Sequence, residues 1–133
     1  MFPTVRTFMD TETHALVESD DIHDAVRRLI DEAVTGAPVV DAEGRLTGML
    51  SELECLRLLS AGDREQADAP AGQVDAYMLR DFKTVTPDMD VYYVAGMFLS
   101  DPSTRRLPVC EGERLVGVVT RKDILRAIVR GLE

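Results

Sequence analysis

Two short polar patterns carry the chemistry of this chain, Thr120-x-x-Asp123 and Ser51-x-x-Glu54. Each sets a hydroxyl and a carboxylate three residues apart, directly after an apolar run, where a helix is expected to open. A helix N-terminus offers unsatisfied N–H groups and the positive end of the dipole, which suits phosphate. A carboxylate is an acceptor that can bind both hydroxyls of a ribose. The same spacing also describes a capping box, in which a Ser or Thr N-cap and an acid at N3 satisfy each other's orphan donors. Glu is the preferred box acid, so Ser51 and Glu54 fit a cap. Asp is shorter and reaches back less readily, so Asp123 is expected to be freer to face a ligand. For Thr120 and Asp123 the residue types leave cap and ligand site equally open.

A second cue lies just upstream. Arg105 and Arg106 precede Leu107-Pro108, and guanidinium forks match phosphate oxygens. The earlier copy of the pattern has the uncharged Thr35 and Gly36 there. Arg121 and Lys122 oppose the dipole at the last helix start, a mild violation that hints at a nearby anion. Metal chemistry finds no support, because His14 and His23 lack partners at ligand spacing. No nucleophile elbow and no Gly-rich phosphate loop occurs, and Asp20/Asp21 read as helix N-terminal charges. The residues suggest binding, not turnover.

The elements that must position these groups occur twice. Arg45-Leu46-x-Gly48 matches Arg114-Leu115-x-Gly117 at an offset of 69, and Val5-x-x-Phe8-Met9 matches Val74-x-x-Tyr77-Met78 at the same offset. Pro38 and Pro108 differ by 70, so the second copy gains a residue before its Pro and loses one in its turn. A doubled unit with compensated shifts points to internal duplication. Each copy reads as β-α-β-β-α, with a parallel crossover and then a hairpin, an α+β (α/β-like) architecture. One sheet face takes both helices and the other is left for the partner copy.

In order, residues 1–10 form a lead-in, with Phe8 and Met9 expected on the first lobe. His14–Val17 is a short strand, and Ser19 and Asp20 cap a helix carrying Ile22, Ala25, Val26, Leu29, Ile30 and Ala33. A hairpin follows across Asp41-Ala-Glu-Gly44, with Gly44 at positive φ, then a helix from Ser51 to Ser60, ended near Gly62. Residues 1–61 form the first repeat, 62–73 a polar linker without periodicity, and 74–133 the second repeat. The second repeat places a helical turn at Val74–Met78, a strand at Lys83–Val85, and a helix from about Asp90 to Ser100. Strands at 106–110 and 114–119 follow, then a helix to about Arg130 with Gly131 just past its end.

The bulk numbers bound the function. At 133 residues the chain has the length of one ordinary domain, and lobes of about 60 residues are marginal alone. The net charge is −9, with five basic and twelve acidic residues in 1–61 against nine of each in 74–133. That balance makes a poor nucleic-acid binder and leaves the second copy the better host for an anion. No apolar run approaches the roughly 20 residues that span a bilayer, and a cytoplasmic protein without membrane contact is expected. Cys55 and Cys110 sit in apolar runs and read as small core residues.

The tandem units, with Arg105-Arg-Leu-Pro-Val109, Gly117-Val-Val-Thr-Arg-Lys-Asp123 and Val85-Thr-Pro-Asp88, resemble a pair of cystathionine-β-synthase-type (CBS) domains, a Bateman module. The resemblance covers essentially the whole chain. It implies two repeats packed sheet to sheet about a pseudo-two-fold axis, binding an adenosine-containing ligand in the cleft between them and regulating without catalysis. AMP, ADP or ATP is the implied ligand; S-adenosylmethionine and NAD also fit, and no metal is required. By position Asp123 would hold the ribose and Thr120 the phosphate or ribose, and Arg105 and Arg106 would face phosphate. The backbone around Thr84 and Val85, with Leu107 and Pro108, would pack on the base. A weaker site in the first repeat would use His14, Ala15, Ala37, Ser51 and Glu54, and it departs from the pattern in Glu54 and in the missing Arg. Such pairs commonly form homodimers and act on an effector domain or a separate effector protein. A ligand-free dimerisation scaffold is the rival reading, with Tyr92, Tyr93 and Met97 as candidate face residues.

Overall fold

The computed structural model describes residues 3–59 and 72–131. Its described residues divide into two compact units, one within His14–Phe82 and one drawn from Met1–Thr13 with Lys83–Glu133. Most of the expected linker, 62–71, lies outside the described residues. The helix expected from Ser51 to Ser60 is shorter, running Glu52–Arg57 with Leu58 as its C-cap, and so stops ahead of Gly62.

In the first unit, β1 (Leu16–Val17), α2 (Ile22–Asp31), β2 (Gly36–Val40), β3 (Leu46–Ser51) and α3 (Glu52–Arg57) follow one another. β1 runs parallel to β2, and β2 pairs antiparallel with β3. The core collects Leu16, Ile22, Ala25, Leu29, Ala37, Val39 and Leu50. These are the inward positions of the period-2 and period-3.6 patterns. The start of α2 differs from expectation, because Asp21 is the N-cap and accepts from the Asp24 N–H at 3.1 Å. Asp20 instead accepts from the Val17 N–H at 2.9 Å, closing the turn after β1. α2 also ends before Ala33, whose φ of 55° reverses the chain, and Ile30 is left 71% exposed.

In the second unit, α4 (Val91–Ser100), β4 (Arg106–Glu111), β5 (Arg114–Thr120) and α5 (Arg121–Gly131) repeat the order. Gly131 closes α5 from inside the helix rather than following it. The expected strand at Lys83–Val85 reduces to one parallel bridge, Val85 to Val109. Pro87, two residues on, has no N–H and cannot extend the ladder. The core holds Val85, Val91, Val94, Phe98, Leu107, Val109, Val119, Ile124 and Ala127.

The largest departure concerns the lead-ins. α1 (Val5–Phe8) packs in the second unit, with Val5 fully buried in the Val85–Ala127 core and Phe8 and Met9 against it, not on the first lobe. Reciprocally, the 3₁₀ turn Val74–Ala76 belongs to the first unit, where Val74 and Met78 join the Leu16–Leu50 core. The pairing repeats at the 69-residue offset. Asp10 exchanges two backbone bonds with Val118, at 2.8 and 2.9 Å, and Leu79 does the same with Met49. Glycine permits both approaches. A Cβ on Gly117 would sit 2.9 Å from Met9 Sδ, and one on Gly48 only 2.4 Å from Met78 Sδ. Each unit is therefore completed by the lead-in of the other copy; the first is one stretch, within His14–Phe82, and the second joins two separate stretches of chain.

Candidate functional site

The hairpin register of the second unit gathers the candidate residues. Arg106 is the partner of Thr120 across the β4–β5 ladder, and Pro108 the partner of Val118. Period-2 alternation puts Arg106 and Pro108 on one face of β4, with Thr120 on the same face of β5. Val85 joins the opposite flank, its N–H donating to Pro108 O at 3.0 Å and its carbonyl accepting from Cys110 at 2.9 Å. Thr84, Val85, Arg106, Pro108 and Thr120 thus meet where β4 begins and β5 runs into α5. Arg105 lies one residue before β4 and is exposed, as is Thr84. The Leu107 and Val85 side chains are packed in the core, at 2% and 1% exposure.

Asp123 lies at that junction, 6% exposed. It is not as free as its length suggested. Its Oδ2 accepts from the Thr120 N–H at 2.8 Å and from Thr120 Oγ1 at 3.0 Å. The cap therefore forms with Asp as it does with Glu, because the extended backbone before α5 brings Thr120 down onto the shorter acid. Oδ1 accepts from Arg126 Nη1 at 2.7 Å. Arg126 escaped the sequence reading, although the signal was present: an Arg follows the acid by three residues in both copies, at 57 and 126. Burial pulls the Arg106 guanidinium below the ordinary arginine range. Arg121 finds a structural role, since its Nη2 donates to Thr104 O at 3.1 Å and to Pro102 O, tying the preceding loop to the helix start.

The matching place in the first unit is built differently. Gly36 stands opposite Ser51 in the ladder, and Ala37, opposite Leu50, is fully buried. Ser51 and Glu54 form the expected capping box, Glu54 Oε2 accepting from the Ser51 N–H at 3.3 Å and from its hydroxyl. His14 takes a φ of 55°, and its Nδ1 lies 3.3 Å from Glu32 Oε2. Ala15 lends its carbonyl to Arg28 at 3.5 Å. Among the described residues no cluster of His, Cys, Asp and Glu could hold a metal ion, and no helix is long and apolar enough to cross a membrane.

The family model described as CBS domain matches residues 5–61 and again 72–130. The chain belongs to the CBS domain family. Each CBS match opens on a lead-in that the fold lends to the other unit. The CBS pair is 34% identical over 129 residues to an A-adding tRNA nucleotidyltransferase of Aquifex aeolicus, covering 97% of this chain and 15% of that enzyme. It is 31% identical over 125 residues to protein MJ1225 of Methanocaldococcus jannaschii, covering 93% of this chain and 42% of that one. Among solved structures it resembles CBSX2 in complex with AMP, with a TM-score of 0.84 at 26% identity over 98% of this chain and 99% of that one. The CBS pair thus spans less than half the length of the first two relatives.

Proposed function

We propose that this CBS pair is a non-enzymatic regulatory module that binds an adenosine-containing nucleotide, mainly at the second-repeat site. The observation that carries the reading is the pairing of Arg106 with Thr120, beside a buried Asp123 and the opening turn of α5. A half-buried cation, a hydroxyl, helix N–H groups and a carboxylate at one sheet end suit a ligand with both phosphate and a diol. Arg105, Arg106 and Thr120 take the phosphate and Asp123 the ribose. The backbone of Thr84 and Val85, with Pro108, borders the base, while the Leu107 side chain lies in the core behind it. The AMP complex of the similar CBSX2 supports the ligand class. His14, Ala15, Ala37, Ser51 and Glu54 form at best a weaker site, since Gly36 supplies no cation opposite Ser51.

Calorimetric titration with AMP, ADP, ATP, NAD and S-adenosylmethionine tests this. An adenine nucleotide binds well below millimolar, and the double variant Asp123→Ala with Arg105→Ala loses it. No binding by any of the five below millimolar, or unchanged binding in the double variant, overturns the reading.

One observation favours a second reading, a dimerisation scaffold with empty sites. Tyr92, Tyr93 and Leu99 on α4 are 62%, 64% and 81% exposed, while Met97 packs on the core. On this reading a tight homodimer forms whose affinity does not respond to nucleotide. Native mass spectrometry of freshly purified protein separates the two, reporting oligomer and retained ligand together. In either case we propose a cytoplasmic module acting through an effector, on the same chain or on a separate protein.

A further inference from the structure

The carboxylate of Asp123 is divided between two owners. Oδ2 belongs to the helix cap, through the Thr120 N–H and hydroxyl, and Oδ1 belongs to Arg126. The two partners of that ion pair sit in different surroundings, Asp123 with 8% of its side chain exposed and Arg126 with 66%. A buried carboxylate requires a donor for each oxygen, so the acid cannot be left bare. The donor on Oδ1 is a flexible side chain reaching in from solvent, and water readily replaces what such a side chain loses. The arrangement recurs in the first unit, where Arg57 Nη1 lies 3.8 Å from Glu54 Oε1 and is 68% exposed.

We infer that Arg126 is a displaceable cover on Asp123 Oδ1, and that a ligand hydroxyl pair takes its place. This rests on the nucleotide reading above and adds to it a residue that sets the threshold for binding. A diol approaching Asp123 finds Oδ2 already accepting twice, so its O–H donors go to Oδ1, which the guanidinium must first leave. Arg126 has somewhere to go: with Lys122, Leu125, Val129 and Arg130 it lines an open groove of about 520 Å³ along α5. Lys122 and Arg130 repel it there, which holds it on Asp123 while the site is empty. Arg126 therefore acts opposite in sign to Arg106. Both are cations near one site, yet Arg106 attracts the ligand and Arg126 competes with it.

The test is calorimetric titration of the full chain and its Arg126→Gln and Arg106→Ala variants with AMP and with adenosine. Arg126→Gln is expected to tighten both ligands roughly threefold to fivefold, the scale of an ion pair with one exposed partner. Arg106→Ala is expected to weaken AMP and leave adenosine nearly unchanged. Arg126→Lys, which keeps a cation but not the fork, is expected to shift affinity in the same direction by less, and it serves should the Gln variant fold poorly. Wild-type binding of AMP with both Arg126 variants unchanged or weaker overturns the cover alone. No binding of AMP by the wild-type chain overturns the nucleotide reading, and the cover falls with it.

Discussion

Where β4 meets α5, Arg106 stands opposite Thr120; where β2 meets α3, Gly36 stands opposite Ser51. The two CBS units otherwise share the hairpin irregularity, at Val109/Cys110 and Val39/Val40, and the acid three residues into the cap. This difference falls on the groups that would meet a ligand. It is also locked in. A Cβ on Gly36 would lie 3.0 Å from Leu50 O and 3.1 Å from Ser51 Cα, both backbone atoms, so a larger residue there needs a backbone shift. Both units keep the scaffold while only one carries the cation at this place, which makes each unit a control for the other.

The harshest way to break the comparison is through the exchanged lead-ins. Val5 and Val74 are equivalent and fully buried, yet each sits in the core of the other copy's unit. Val5→Asp buries an unpaired charge and should cost more than about 4 kcal/mol. Its loss of amide-exchange protection should fall first in 83–131, and that of Val74→Asp first in 14–59. Protection lost in the opposite unit would show that the lead-ins are not exchanged in solution.

Next in size is the ligand contrast. Arg106→Ala should weaken AMP binding by roughly 10- to 100-fold, the range of a hydrogen bond to a charged group. Gly36→Arg should create no second site, because the strand must distort before the side chain can reach Ser51. Stoichiometry from the same titrations decides, and a gain from one bound AMP to two would refute the strain argument.

The glycines give a finer test. Gly48→Ala and Gly117→Ala both overpack the lead-in against the edge of a hairpin, at a cost of about 1–3 kcal/mol. Gly48→Ala should be the worse, since its Cβ would press on Met78 at 2.4 Å and on the Leu79 carbonyl at 3.0 Å; for Gly117→Ala the closest approaches are 2.9 Å to Met9 and 3.2 Å to the Asp10 carbonyl. Urea unfolding of the two variants ranks them, and the reverse order would mean that the Met78 side chain moves aside freely.

Element order, both hairpins and the positive φ of Gly44, 83°, were legible because turn residues and hydrophobic period agree there. The destination of the lead-ins was not. Val5 and Val74 carry interchangeable apolar patterns, and local sequence does not say which of two similar cores such a segment enters. The state of Asp123 was hidden for another reason. Side-chain length argued for freedom, but the backbone geometry before α5 decided the matter, and the pairing with Arg126 depends on helix phase at a surface position that hydrophobic spacing ignores.

The smallest effect tests how the two units close their turns. Asp41 Oδ1 accepts from the Glu43 and Arg45 N–H groups, both at 2.9 Å, and Oδ2 from Arg45 Nε at 2.8 Å. These bonds, the Arg45 amide foremost, hold its carboxyl below the ordinary range. In the other unit Asp101 is lowered chiefly by the Ser103 hydroxyl, at 2.6 Å, with Thr104 and the Ser103 amide adding to it. A carboxyl with a depressed folded value contributes stability that is present above its unfolded value, about 3.9, and is lost as pH falls through the folded value. Acid should therefore loosen the tip of the β2–β3 hairpin and the loop ahead of Arg105, while the β4–β5 turn, closed by Gly112 at a φ of 62°, has no such clamp to lose. In an NMR titration the Glu43 and Arg45 amides should move together with the Asp41 carboxyl, at a pH below 3.9, and Asp41→Asn should abolish the movement. Movement of those amides in the ordinary carboxylate range instead would show that the clamp does not hold the hairpin tip in solution.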